Sequence, residues 1–392
     1  MITWEGVNYS KEEFQRAFGK YGEILCRERP VGIRESVFTG PMADLMPALE
    51  LRPTRDFVIR LAPQRALEPL EVRFDCDQPP FMYDRSAMFE NFMGAVSPLR
   101  YESMGLGTIF GIQAFFTCGP DNVGGPTPLY SLHGYFSRMP AQNVRSFAEW
   151  QNDNLCFVTQ GEIDCRRMVV GPWVRISRTV RTVLGENKFW IHDVLTAEHD
   201  SKIMWKYHPN FPLIDPSELI VAAEKVVARD TQAEVDLDRW NYVDAINDEI
   251  AERVYHIEYH PAQNIKGVPD GTVHALISYG RGNTGAYIAF NTNQFKDNMR
   301  FLTIWKNTRD AVMGLEPGAT VLGRDYAEEH NLLVPLAKGE TLEFDLEVGF
   351  LSSPEEVSAM KKILESVRAA KIKGEPLIIP SVEKKKYKIN YI

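Results

Sequence analysis

The run Thr341–Phe350, TLEFDLEVGF, decides the fold class. Leu342, Phe344, Leu346, Val348 and Phe350 alternate with Thr341, Glu343, Asp345, Glu347 and Gly349. Successive side chains of a strand point to opposite faces, so this period of two describes a strand with one apolar and one polar side. The same period recurs upstream. VRISRTVRTVL (174–184), GENK (185–188) and FWIHDVL (189–195) read as a hairpin centred on Gly185. RVYHIEYH (253–260), TVHALISY (272–279), GAYIAF (285–290) and NLLVPL (331–336) are further strand candidates, separated by Gly, Asn, Asp and Pro clusters. Many short strands without regular helical spacers predict a mainly β chain folded as a large antiparallel sandwich, not a series of βαβ units. The segment 216–235 stays open: Pro216 could start a helix, but LIVAAEKVV (219–227) also suits a strand.

Helices are expected only at the periphery. Ser10-Lys-Glu-Glu13 has capping-box spacing and predicts a short helix through Phe14 and Phe18. Ser353-Pro354-Glu355-Glu356 repeats the signal, with Pro354 suited to the first helical position. The helix that follows should bury Val357, Met360, Ile363, Leu364 and Val367 and run to about Ala370. The residues beyond it mix Pro, Gly and lysines and read as an extended tail. The expected organisation is an N-terminal helix and lead-in (1–40), a β-sandwich (41–352) and a C-terminal helix and tail packing on it (353–392).

Composition narrows the function classes. Among 392 residues, Lys and Arg number 44 against 53 Asp and Glu, a net charge of −9. That balance is wrong for a protein that coats nucleic-acid phosphates. No apolar run approaches the length of a membrane span, and the start MITWEGVNYSKEEF has no basic region leading into an apolar one. A cytoplasmic protein without nucleic-acid or membrane partners is expected. The five cysteines, Cys26, Cys76, Cys118, Cys156 and Cys165, are odd in number and form no CxxC pair, so reduced thiols are expected instead of disulfides or a cysteine zinc site. No GxGxxG, P-loop, GxSxG or HExxH occurs.

Three polar groups stand out in apolar or turn-rich settings: His133 in Leu132-His133-Gly134, His208 in Tyr207-His208-Pro209-Asn210-Phe211-Pro212, and Glu316 in Gly314-Leu315-Glu316-Pro317-Gly318. Each precedes a Gly or Pro that fixes the local backbone. Two imidazoles and a carboxylate around one cavity suit proton exchange on a neutral polyol. Each is equally open to reading as a hydrogen-bonded turn residue.

Taken in order, LHGYFSRMPA, YHPNFPLI, WKNTRDAVMGLEPGATVLGRD and LLVPLAKGETLEFDLEVGF resemble galactose mutarotase-type proteins. The resemblance is to the poorly characterised branch of aldose 1-epimerase-like proteins and covers roughly residues 60–352. That family places a histidine in an LHG run first, then one in an H-P-x-F-type run, then a late glutamate, a PGE-type turn and a final alternating strand. Lys338-Gly339-Glu340 stands where the PGE turn would be. The resemblance implies a twisted supersandwich with a sugar cleft, and a metal-independent isomerase with no cofactor that interconverts the α and β anomers of a free sugar or sugar acid. By resemblance, Glu316 removes the anomeric proton, His208 protonates the ring oxygen, and His133 hydrogen-bonds the sugar. A carboxylate close to His208 would raise its pKa.

Other positions carry weaker expectations. The family's early arginine run is absent; Arg65 in APQRALEP and Arg85 in MYDRSAM are substitutes. Arg138 follows His133 by five residues, Asn210 follows His208 by two, and both are candidate sugar contacts. No motif matches the family's sugar-binding aspartate. Arg178 shares strand parity with apolar neighbours, so it lines the cleft or pairs with a structural carboxylate. Trp305 and Lys306 lie a hairpin's reach before Glu316, where Trp305 could stack on a sugar or pack in the core. Arg324 contacts substrate or closes a turn. A rival constellation is His256-Ile-Glu258-Tyr-His260, whose alternate residues share one strand face. It would bind a metal ion in a sugar isomerase, or form a solvent-facing polar side. A silent carbohydrate-binding protein is the remaining alternative, and the oligomeric state is left open.

Overall fold

The structure is a computed structural model that describes residues 1–4, 6–28, 31–38, 46–74, 136, 139–166, 173–214, 216–243, 252–308, 311–320 and 323–370. The predicted alternating strand is present as Thr341–Leu351, with Leu342, Phe344, Leu346, Val348 and Phe350 all buried. It lies at the middle of a nine-stranded antiparallel sheet. On one side it pairs with Lys188–Ala197 and on the other with Thr284–Asn291. The hairpin centred on Gly185 joins Trp173–Val183 to Lys188–Ala197, and Gly185 takes the positive φ of 89° that the turn requires.

A second, five-stranded antiparallel sheet runs in the order Asn210–Pro212, Val312–Gly318, Phe301–Asn307, Arg253–Tyr259 and Ala223–Ala228. Between the two sheets lies one apolar core. Phe189, Ile191, Phe344, Leu346 and Ile288 come from the large sheet, and Tyr255, Ile257, Leu302, Ile304, Met313, Leu315 and Phe211 from the small one. A four-stranded sheet spanning residues 32–74 contributes Leu51, Phe57, Ile59, Leu61 and Val72 to the same core. The chain is therefore mainly β and a sandwich of antiparallel sheets, as the period of two implies.

The ambiguous segment resolves as two strands. Ser217–Val221 belongs to the large sheet and Ala223–Ala228 to the small one, so the chain changes sheet at Ala222. A short helical turn, Thr231–Glu234, follows under an Asp230 cap. The strand reading of LIVAAEKVV holds, broken at Ala222, whereas Pro216 precedes a strand and starts no helix.

The two longer helices lie at the periphery, and Lys11–Phe18 sends Phe14 into the core. Ser10 and Glu13 form the expected capping box of Lys11–Phe18, with Glu13 N–H donating to Ser10 Oγ (3.2 Å) and Ser10 N–H to Glu13 Oε2 (2.7 Å). Pro354–Ala370 ends where the periodicity ends. It packs Met360 and Leu364 on Leu276, Tyr287 and Ala289 of the large sheet. Its Glu356 reaches back to the amide of Ser352 (2.6 Å), one residue earlier than the simple box. Among the described residues no helix is long and apolar enough to cross a membrane. Cys156 and Cys165 are free and buried, and burial pushes both thiols up. The expected extended tail lies outside the described residues.

Candidate active site

Register across the small sheet assembles the site. His256 sits opposite Thr303, and Thr303 opposite Glu316, so three adjacent strands put these side chains in one row. Val254, Trp305 and Gly314 form the next row on the same face. The alternate residues Tyr255, Ile304 and Leu315 point into the core. The segment ahead of Asn210–Pro212 lies along Val312–Gly318. Tyr207 N–H donates to Pro317 O (3.0 Å) and Leu315 N–H to Pro209 O (3.0 Å). In this segment Trp205, Tyr207 and Phe211 enter the core, while Lys206 and His208 reach Glu316.

Two glycines permit the approach. A Cβ at Gly314 would stand 2.8 Å from His208 Cε1 and 3.0 Å from Glu316 Oε1. Gly318, at φ +143°, bridges to Lys206, and a Cβ there would meet Trp205 O at 2.4 Å. A Cβ at Gly314 would displace the His208 ring, and one at Gly318 would push the segment that carries Lys206 and His208 off the strand that carries Glu316.

His208 Nε2 lies 3.1 Å from Glu316 Oε1, and Lys206 Nζ lies 3.4 Å from Glu316 Oε2. The lysine also donates to Glu316 O (3.1 Å) and to Thr303 Oγ1 (3.1 Å). All four residues are buried, Lys206 and Thr303 completely. Trp305 stands edge-on to the His208 ring at 5.6 Å, and the Asn210 side chain neighbours the same imidazole.

The expectation for His208 ionisation is corrected. Burial is the largest influence and lowers its pKa below the ordinary histidine value; Glu316 opposes this, and Lys206 adds to it. Desolvation wins because the ring is enclosed, which a sequence does not display. His208 is therefore a neutral imidazole at rest, and its contact with a carboxylate places the proton on Nε2.

The row continues through Thr303. Its Oγ1 accepts from the Lys206 ammonium, which has no lone pair, and lies 3.1 Å from His256 Nδ1. The hydroxyl hydrogen is satisfied when it is donated to Nδ1, which leaves the His256 proton on Nε2. Burial, then the charges of Lys206 and Arg229, lower the His256 pKa to about 3. The Nε2 atom is buried with no hydrogen-bond partner among the described residues.

The remaining sequence candidates scatter. Arg178 is wholly buried in a two-pronged pair with Asp193 (2.8 and 2.9 Å) and also donates to Ala66 O. Tyr207 Oη donates to the same carboxylate (2.7 Å), so of the two roles open to Arg178 it performs the structural one. Lys306 is one residue out of phase with Trp305 and donates to Arg239 O and Tyr242 O on the other side of the sheet. Arg324 donates to Glu328 (2.9 Å) within its own helix and to Lys202 O (3.1 Å), tying that helix to a distant segment. Arg65 is buried in a helical turn with Glu68 at 3.5 Å. His133, Arg85 and Arg138 lie outside the described residues.

The rival constellation does not converge. His256 is committed to Thr303, Glu258 to Lys225 (3.4 Å) and His260 to Glu224 (2.9 Å). Nor is it a solvent-facing side, because the strand Arg253–Tyr259 is buried on both faces. Among the described residues no group of three or more His, Cys, Asp or Glu is placed to hold a metal ion.

Lys206 and Thr303 were not singled out from the sequence. The signal for Lys206 is the alternation Lys206/His208/Asn210 against Trp205/Tyr207/Phe211, which puts the lysine on the histidine's face. Nothing local marks Thr303.

A family profile described as "Domain of unknown function (DUF4432)" matches residues 46–350, most of the chain and all of the site. The chain belongs to the DUF4432 family. No curated protein matches this DUF4432 chain. Among solved structures it is similar to one described as a "putative aldose 1-epimerase" from Klebsiella pneumoniae subsp. pneumoniae MGH 78578. That likeness has a TM-score of 0.71 and 20% identity, over 86% of this chain and 87% of that one. It is also similar to a galactose mutarotase-like protein from Clostridium acetobutylicum, with a TM-score of 0.57 and 10% identity, over 82% of this chain and 98% of that one. At these identities the likeness shows the fold: the sandwich is that of galactose mutarotase-like proteins.

Proposed function

We propose that this DUF4432 protein is an aldose 1-epimerase-like isomerase that interconverts the anomers of a free sugar or sugar acid. The observation that carries the reading is the buried contact of 3.1 Å between His208 Nε2 and Glu316 Oε1 on one wall of the mutarotase-like sandwich. A base and a proton donor this close together are able to serve two neighbouring oxygens of one pyranose ring.

In this reading Glu316 takes the proton of the anomeric hydroxyl as the bond between C1 and the ring oxygen breaks. The bonding electron pair stays on the ring oxygen. Because His208 is neutral at rest, it serves that oxygen as an Nε2–H donor. His208 hands its Nε2 proton to the ring oxygen, and the proton that Glu316 collected replaces it at Nε2 across the Glu316–His208 contact. Rotation about C1–C2 and the reverse steps give the other anomer, and no proton is gained or lost over the cycle. Trp305 offers an aromatic face beside His208 for the apolar side of a sugar. His133 is proposed to complete the hydrogen bonds to the sugar.

The test is exchange spectroscopy on a panel of aldoses and uronic acids, with and without protein. Faster α/β exchange of at least one sugar is expected. Sugar binding with exchange at the uncatalysed rate would replace the enzyme with a silent carbohydrate-binding protein.

A further inference from the structure

The lysine behind the acid–base pair has no place in the reaction as derived so far, yet it is one of the most deeply enclosed side chains in the molecule. Lys206 is 0% exposed. A buried ammonium is costly unless it is neutralised and its hydrogens are used. Here it has Glu316 Oε2 at 3.4 Å, Glu316 O at 3.1 Å and Thr303 Oγ1 at 3.1 Å. The carboxylate thus stands between a cation on one oxygen and the His208 N–H on the other.

We propose that Lys206 is the positioning residue of the site: its ammonium holds the Glu316 side chain by Oε2 with Oε1 turned to His208. Its catalytic meaning rests on the isomerase reading above, but the electrostatic claim stands apart from turnover. Among the described residues, the titratable and charged groups facing Glu316 are Lys206 and His208 from the segment before Asn210–Pro212. His256, from Arg253–Tyr259, is reached through Thr303. His208 is neutral at rest and His256 is neutral, so among these groups Lys206 carries the positive charge. The lysine acts on Glu316 through charge and on His256 through the Thr303 hydroxyl, so one residue sets the proton positions along the whole row. Gly318 is part of the device. Only a residue without Cβ lets the Lys206 backbone bridge to the strand two residues beyond Glu316.

The experiment compares wild type, Lys206→Met, Lys206→Arg and the double variant Lys206→Met/Glu316→Gln as full-length protein. Histidine labelled with ¹⁵N is observed by NMR, with the His208 signals assigned by their absence in His208→Gln. Lys206→Met is expected to lose the His208 Nε2–H signal that the contact with Glu316 Oε1 protects, and Lys206→Arg to keep it. The anomer-exchange rate should fall about tenfold or more in Lys206→Met and recover in Lys206→Arg. A His208 Nε2–H signal unchanged in Lys206→Met overturns the proposal. If Lys206→Met does not fold, the double variant decides. Removing both charges should restore folding, whereas an unfolded double variant would make Lys206 merely structural and refute the claim. Wild-type protein that accelerates no anomer exchange, with the lysine-dependent His208 signal present, would instead fell the isomerase reading and leave the lysine's role intact.

Discussion

Acid stability gives a test of the row that needs no substrate. His256 has an ordinary value of 6.5 when unfolded and about 3 in the fold, because burial and the charges of Lys206 and Arg229 oppose its protonation. The unfolded chain therefore binds a proton below pH 6.5 that the native chain refuses. Stability from this group is complete above 6.5 and is lost as pH falls towards 3. Between pH 7 and pH 5 the unfolded histidine goes from about one-quarter to almost fully protonated while the folded one stays neutral, which corresponds to about 2 kcal/mol of lost stability. His208 and His274, both lowered chiefly by burial, act in the same direction. The contribution of His256 is therefore read as a difference between proteins. Urea unfolding of wild type and His256→Gln at pH 7, 6 and 5 should give curves that converge by about 2 kcal/mol as the pH falls. Parallel curves would mean that His256 is accessible to protons in the fold, and the assignment of its proton to Nε2 would fall with it.

Gly314→Ala should keep the fold and lose catalysis. The new Cβ would stand 2.8 Å from His208 Cε1, so the ring must retreat by several tenths of an ångström, and a misplacement of that order costs up to ~10²-fold in exchange rate. Thermal melts within a few degrees of wild type beside an unchanged rate would refute the assigned geometry. Arg178→Met leaves Asp193 buried without its cation. It should destabilise the protein by about 3–5 kcal/mol in denaturant unfolding, whereas a loss below 1 kcal/mol would show that the pair is not closed as described.

The alternation in TLEFDLEVGF was enough to predict a sandwich, because a half-buried strand writes both of its faces into the chain. Helix ends were equally legible, since Ser10, Glu13, Ser353 and Pro354 act on groups three or four residues away. The site was legible only in part. His208 and Glu316 drew notice through their Pro and Gly neighbours, but their meeting depends on register between distant strands. Lys206 and Glu316 are 110 positions apart, and no local pattern pairs them. Arg178 was readable as inward-facing and Asp193 lies on the other arm of the hairpin read around Gly185, but the register that sets the two opposite each other was not drawn from the sequence. The ionisation of His208 depends on how completely other segments enclose it, a quantity that exists only after folding.

The most direct test of the central claim is α/β exchange of a responsive sugar measured for wild type and Glu316→Gln, with folding of both followed by thermal melting. The substitution keeps the side chain's shape and removes the base, so a folded Glu316→Gln protein should lose about 10²-fold or more of the catalysed rate. Exchange at the wild-type rate in that protein would contradict the account, because the proton would then be taken by a group outside the Lys206–Glu316–His208 array.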